Sequence, residues 1–275
     1  VTSLSVIVTT YNRPDALEAA FGGYLAQSDR DFRLVVADDG SGPETAEAVS
    51  RFARSAPFPV LHVWQEDLGF RAAAARNRAL AAAGSDYIVF SDGDCVPLPG
   101  FVAGHRRLAE EGWFVTGNRV LLSRGMTDRV ILDPEIVRGR GAAAWARGRL
   151  RGEVNRLLPL LPLPFPSCFR KAGKARWEGA MTCNLAAWRS DLLRVNGLDE
   201  SYSGWGLEDS DLVIRLLRSG VRRKSARFAA PVLHLWHREQ DRSALAENRL
   251  RLEAILKSDR VRAARGVDRY LQGGL

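Results

Sequence analysis

Tyr87-Ile88-Val89-Phe90-Ser91-Asp92-Gly93-Asp94 runs from an apolar stretch into two carboxylates that straddle one glycine. The apolar part predicts a buried strand, because a strand covered on both faces reads as continuous hydrophobic sequence. Asp92 and Asp94 then stand at its carboxyl end. Gly93 has no side chain, so both carboxylates can approach one cation and its ligand. Carboxylate oxygens with open coordination positions suit Mg²⁺ or Mn²⁺ that also holds phosphates. Taken alone, the pair fits equally well a polar loop whose aspartates cap the next element.

Working outward, the first half alternates strand and helix. Leu4–Thr9, Phe32–Ala37 and Val60–Trp64 read as strands that precede Tyr87–Ser91. Pro14 opens a helix to about Gln27 and Pro43 one to Arg54, since proline suits a first helical turn. Arg71–Ala83 reads as an alanine-rich helix ended by Gly84. This order predicts a mainly parallel sheet with helices on both faces, with ligands at the carboxyl ends of its strands. Thr9–Arg13, Asp38–Ser41 and Asp92–Asp94 all fall on that rim.

Further on, Glu111–Ser123 reads as a strand region, Thr182–Trp188 as a strand and Ser190–Val195 as a short helix. Leu207–Arg218 is expected to be a helix burying Leu212, Val213, Leu216 and Leu217, stopped by Gly220. Ala229–Trp236 is expected to be a last strand. From Glu239 a charged helix carries Leu245, Leu252, Ile255 and Leu256 near helical spacing. Between these segments, Arg138, Arg140, Arg147, Arg149, Arg151 and Arg156 precede Leu157–Pro166, an apolar run that its prolines keep from forming a regular helix. That stretch is either a solvated helix with a packed loop or a mobile element for acceptor or membrane surface.

The 275 residues suffice for one large α/β domain, and 46% hydrophobic content describes a soluble globular chain rather than a disordered one. No uninterrupted apolar run reaches membrane-spanning length. Val1–Thr10 reads as a strand rather than a signal peptide, and the N-terminus as trimmed. The odd, widely spaced Cys95, Cys168 and Cys183 form neither a disulfide framework nor a metal pattern, which suits a reducing cytosol. A net charge of +8 favours anionic partners. The basic residues are dispersed, however, and accompany no nucleic-acid-binding motif.

Thr10-Tyr11-Asn12-Arg13-Pro14, Asp38-Asp39-Gly40-Ser41, Arg76-Asn77 and Asp92-Gly93-Asp94 resemble the family 2 nucleotide-sugar glycosyltransferases of GT-A fold. Gly179–Leu185, Arg194–Glu200 and Gly204-Trp205-Gly206-Leu207-Glu208-Asp209-Ser210-Asp211 resemble the galactosyltransferase-type acceptor segment. The resemblance covers roughly residues 3–237. It implies an α/β GT-A fold with a Rossmann-like, mostly parallel central sheet, spanning 1–237, and a C-terminal helical extension over 238–275. Residues 1–123 would form the nucleotide-sugar half and 124–237 the acceptor half.

The resemblance also implies roles. Thr9, Tyr11, Arg13, Asp39, Arg71, Arg76 and Asp92 would bind a UDP-sugar. In this reading Tyr11 faces the uracil, Asp39 accepts from its N–H, and an arginine reaches the base carbonyl or a phosphate. Asp38 or Asp39 could instead cap the Pro43 helix, and Arg71 and Arg76 could be surface arginines. Asp92 would contact ribose or metal-bound water. Asp94 would ligate Mn²⁺ (or Mg²⁺) with His234, His237 or both, a nitrogen ligand favouring Mn²⁺. Asp209, at a helix N-terminus that keeps it ionised, would be the general base of an inverting transfer. Trp205, Gly206 and Glu208 would hold acceptor or sugar, and Asp211 would be structural.

The expected activity is transfer of a hexose from a UDP-sugar to a glycan or glycolipid hydroxyl, in bacterial polysaccharide or lipopolysaccharide synthesis. The expected location is cytoplasmic, with peripheral membrane contact through the arginine-rich stretch. The alternatives are a transferase acting on a small soluble molecule and a non-catalytic nucleotide-sugar-binding protein. A nucleotidyltransferase would want a glycine-rich, lysine-bearing first loop, which Val8–Pro14 lacks. Donor sugar, linkage and oligomeric state are not written in the sequence.

Overall fold

A computed structural model of the chain describes residues 2–161, 163, 165–238 and 241–271. β1 (Leu4–Thr10), α1 (Pro14–Leu25), β2 (Arg33–Asp38), α2 (Pro43–Ser55), β3 (Val60–Trp64), α3 (Ala72–Ala83) and β4 (Tyr87–Asp92) alternate in the expected order. Proline occupies the first turn of α1 and of α2. Gly84 closes α3 in the left-handed region at φ 67°. The small side chains of Ala72–Ala75, Ala79 and Ala83 let α3 lie close against the sheet, and all six are buried.

Then follow β5 (Cys95–Pro97), α4 (Phe101–Leu108), β6 (Trp113–Thr116), β7 (Arg119–Leu121), α5 (Arg124–Leu132), α6 (Ala142–Leu150) and α7 (Ser167–Arg170). β8 (Asn184–Trp188), α8 (Arg189–Arg194), α9 (Glu208–Arg218), β9 (Arg222–Ser225), β10 (Val232–His234), α10 (Leu245–Leu256) and α11 (Asp268–Leu271) complete the order. The main sheet has seven strands in the order β3-β2-β1-β4-β8-β6-β9, and a second sheet has the order β5-β10-β7. β1 to β4 are mutually parallel, and β8 alone runs against its neighbours in the main sheet.

Strand order reverses at β1, with β2 on one side and β4 on the other, which opens a crevice at their carboxyl ends. Register brings Thr9 opposite Asp92 and Thr10 opposite Asp38. Gly93 follows directly. A Cβ there would lie 3.2 Å from the Thr9 carbonyl and from the Thr10 side chain, and its N–H donates to the Thr9 carbonyl at 2.7 Å. A side chain there would press on β1, which would have to give by a few tenths of an ångström.

Several expectations need correction. Cys95–Pro97 and Arg222–Ser225 are strands that the hydrophobic pattern does not show. One is three residues long, and the other is a polar edge strand. Glu111–Ser123 divides into β6 and β7, which join different sheets. The last strand shrinks to Val232–His234. In α9, Leu212, Val213 and Leu216 are buried, whereas Leu217 is only half-buried. Leu157–Pro166 holds one short 3-10 turn at Leu158–Leu160, with Leu160 buried; Pro162 and Pro164 lie outside the described residues.

The extension does not stand apart from the rest. Leu252 and Ile255 of α10 pack with Ile214 of α9. The expected start of this extension helix at Glu239 also lies outside the described residues.

Candidate active site

Arg76 sits on the buried face of α3, 5% exposed, where its guanidinium meets two carboxylates. Nη2 donates to Asp92 Oδ1 at 3.0 Å, and Nη1 donates to Glu208 Oε1 at 3.1 Å. One arginine of α3 thus ties the end of β4 to the start of α9, reaching Glu208 across 132 residues of sequence. Burial works against its charge, but Asp92 and Glu208 outweigh burial and hold its pKa above the ordinary arginine value.

Asp209, beside Glu208, is pushed up to about 7. Burial is the main cause and the Glu208 charge the second; Arg76 and the Ser210 N–H pull the other way. Desolvation thus opposes the ionisation that the helix N-terminus is expected to favour. The turn before it is strained. Gly206 has φ 105° and Leu207, which is not glycine, has φ 79°. Asp211 points away into the core and pairs with the equally buried Arg215 at 2.6 Å.

Asp94 stands on the other side of Gly93. β10 pairs antiparallel with β5 so that His234 lies opposite Cys95. This register brings His237 Nε2 to 3.3 Å and His234 Nε2 to 3.6 Å from Asp94 Oδ2. One ligand atom from each of the three residues lies within 4.8 Å of the others. One oxygen and two imidazole nitrogens at this spacing fit a first-row divalent cation of borderline softness. Burial lowers the His234 pKa, while the Asp94 charge opposes that shift, so the imidazole favours the neutral form that binds metal. The structure also gathers Cys95, Cys183 and Asp92 within the same reach, a juxtaposition invisible in their spacing.

The remaining named residues are placed as follows. Tyr11 is 46% exposed on the rim, and its hydroxyl donates to Asp67 at 3.0 Å. Asp39 is buried; it accepts from Gln65 Nε2 at 2.6 Å and from the Arg71 backbone N–H at 2.7 Å. Asp38 caps no helix. It accepts from the Ser41 N–H at 2.8 Å and pairs with His62 at 2.9 Å, which closes the loop after β2. Thr9 presents a buried hydroxyl with no hydrogen-bond partner among the described residues.

Two arginines make their hydrogen bonds outside the cluster but lie within reach of its charges. Arg13 is paired with Asp15 at 2.8 Å and feels the Asp94 charge, and the Arg71 guanidinium turns to the Glu66 carbonyl while its charge acts on Asp39. Trp205 is 38% exposed, with the Arg242 guanidinium 5.0 Å from its ring centroid.

Motif reading misses four supports. Asn12, at φ 47°, donates its backbone N–H to the Ser41 hydroxyl and accepts from the Gly42 N–H on its side chain, locking the two rim loops together. Gln65 steadies Asp39. Asn248 of α10 is fully buried and donates to the carbonyls of Ser203 and Gly206 at 3.0 and 3.1 Å. Trp236, between the two histidines, is 40% exposed and carries Arg124 over its ring at 5.2 Å. Two of them stand inside sequence signals, Asn12 in Thr10-Tyr11-Asn12-Arg13-Pro14 and Trp236 in His234-Leu235-Trp236-His237.

A model of glycosyl transferase family 2 matches residues 5–169, and one of the N-terminal domain of galactosyltransferase matches residues 167–238. The chain belongs to glycosyl transferase family 2. Within it, the chain is 30% identical over 233 residues to validoxylamine A glucosyltransferase of Streptomyces hygroscopicus subsp. jinggangensis (strain 5008), covering 79% of this chain and 52% of that protein. It is 25% identical over 250 residues to chondroitin synthase of Escherichia coli, covering 83% of this chain and 34% of that one. The chain thus spans about half, or about a third, of the length of these relatives. The mannosyltransferase PcManGT from Pyrobaculum calidifontis, solved with GDP-Man and Mn²⁺, superposes with a TM-score of 0.60 at 20% identity, over 94% of this chain and 65% of that one. The family 2 fold is therefore GT-A.

Proposed function

We propose that this chain transfers a hexose from a UDP-sugar to a hydroxyl of a glycan or glycolipid with inversion, using a divalent cation, Mn²⁺ before Mg²⁺. The observation that carries the reading is the Asp94–His234–His237 cluster one residue away from the Asp92–Arg76–Glu208 bridge, with half-buried Asp209 beside Glu208. Asp94, His234 and His237 would hold the cation. When bound, it would act as a Lewis acid that offsets charge growing on the departing diphosphate.

The chain's own residues do the rest. Tyr11 offers a face to the base, Asp39 accepts from its N–H, and Asp92 faces the ribose. Asp209 removes the proton of the acceptor hydroxyl as that oxygen attacks C1 of the sugar and the C1–phosphate oxygen bond breaks. Arg76 keeps Asp92 and Glu208 in place and draws the Asp209 pKa down. Trp205 stacks on a sugar face. Residues 1–237 act as the transferase unit, and 238–275 brace it through Asn248.

The resemblance to chondroitin synthase favours a polysaccharide acceptor. A small soluble acceptor is the second reading, favoured by the likeness to a protein named for validoxylamine A. Among the described residues no helix is long and apolar enough to cross a membrane, and we place the reaction on a cytoplasmic membrane face. The test is UDP release from a panel of UDP- and GDP-sugars with and without Mn²⁺. Release from a UDP-sugar only with Mn²⁺ is expected; metal-independent release, or release from GDP-sugars alone, refutes the donor and metal assignment.

A further inference from the structure

We propose that this protein has a second, anion-binding site, built by α3 and the C-terminal segment, that takes a carboxylate or phosphate group. Arg71, Arg78, Arg265 and Arg269 surround a cavity of about 220 Å³, closed by Tyr202 and Tyr270. Its one acidic lining residue, Glu200, is already satisfied. Arg269 pairs with it at 2.5 Å, the Tyr270 hydroxyl donates at 3.1 Å, and Asn77 donates at 2.9 Å.

Arg78 and Arg265 have no carboxylate partner among the described residues, and the Arg71 charge acts on Asp39, which does not line the cavity. The Arg71 guanidinium donates to a neutral carbonyl, that of Glu66. Arg78 lies over the Tyr270 ring at 4.7 Å and makes no hydrogen bond among the described residues. Arg265 is exposed, and its side chain makes no contact with an acidic group among them. The Nε atoms of Arg71 and Arg78 are buried without an acceptor. Buried N–H groups normally find partners. Three guanidinium charges around a cavity of this size, two with orphaned N–H groups, leave a demand that one oxyanion would meet by forked, charge-assisted hydrogen bonds.

The site is distinct from the Asp94 cluster and mechanically joined to the candidate active site. The Arg71 backbone N–H holds Asp39, and the Tyr202 hydroxyl reaches Asp211 at 3.4 Å below α9. The group could be a uronate carboxylate of a glycan or a free phosphate.

The intact chain is titrated with inorganic phosphate while its melting temperature is followed, with sodium chloride at matched ionic strength as control. A saturable rise beyond chloride is expected. Arg265→Gln, which removes an exposed side chain and leaves the core intact, should weaken phosphate by roughly tenfold or more, as loss of a charged hydrogen bond does. Arg78→Gln should do the same. No rise beyond chloride, or equal phosphate affinity in both variants and the parent, overturns the site. A glucuronate-bearing disaccharide and its neutral counterpart separate the sources. Tighter binding of the acidic sugar than of phosphate identifies a glycan carboxylate, and the reverse order a free phosphate. No step of this test uses transfer activity, so it stands or falls apart from the transferase reading.

Discussion

Asp209 joins a chemical demand to a folding cost. A carboxyl pushed up to about 7 by burial is half-protonated at neutral pH, whereas a general base works deprotonated. Turnover should therefore rise with pH through about 7 and level off above it, rather than being flat from pH 5. A pH–rate profile of kcat/KM with no rise between pH 5 and 8 would assign the base elsewhere. The folded pKa lies above the unfolded one, so the folded state binds the extra proton and stability declines as pH rises from about 4 towards 7. Asp209→Asn should lose about 10²–10⁴-fold in turnover and gain thermal stability at pH 8. Unchanged melting at pH 8 would mean that the carboxylate is not strained there. Asp94→Ala removes the only carboxylate of its cluster. It should abolish Mn²⁺-dependent strengthening of UDP binding in calorimetry; strengthening equal to the parent's would exclude Asp94 as a ligand.

At the scale of elements, the loop before α9 is held from behind. Its strained Gly206–Leu207 turn leans on α10, whose Asn248 caps two loop carbonyls. Asn248→Ala strands those part-buried carbonyls, at a cost of about 1 kcal/mol. A lower melting temperature and a roughly tenfold fall in kcat, with UDP binding unchanged, are the expected results. Loss of UDP affinity instead would place the effect at the donor side. The arginine-rich stretch divides on inspection. Arg138 pairs with Glu135, Arg140 with Glu153, and Arg156 donates to the Arg119 carbonyl. Arg147, Arg149 and Arg151 remain exposed around Leu150, itself 88% exposed. Under the proposed membrane contact, these three rather than the whole stretch would carry the attachment. At about 1 kcal/mol each near an anionic leaflet they would give weak, salt-sensitive binding. Sedimentation with anionic and neutral liposomes at low salt should show it with the anionic ones only, and equal negligible binding to both would remove the membrane claim.

Across the whole molecule, the two matched segments do not form two bodies. β8, from the second, lies between β4 and β6 in the main sheet, and Arg76 reaches from α3 to α9. Arg76 thus joins the end of β4 to the Glu208–Asp209 turn. The proposed single base, Asp209, implies a single displacement, so an α-linked UDP-sugar should yield a β-linked product. The anomeric coupling in the product NMR spectrum decides it, and an α product would refute inversion.

Local pattern sufficed for β1 to β4 and their helices, because buried parallel strands are continuous apolar runs and proline and glycine mark the helix ends. It also singled out Asp92 and Asp94, a carboxylate pair at a strand end; Tyr11, Asp39, Asp209 and the two histidines are named through the family resemblance. Local pattern is blind to register and direction. The short β5 and polar β9 carry no periodicity, and β8 runs backwards only because its partners require it. Side-chain aim is likewise a tertiary outcome. Arg71 and Arg76 look alike in sequence, yet Arg76 bridges two carboxylates while Arg71 turns to a backbone carbonyl beside another cavity. The Asp209 pKa followed the same logic: the helix N-terminus was legible, but desolvation depends on what packs over it, and only the assembled fold supplies that.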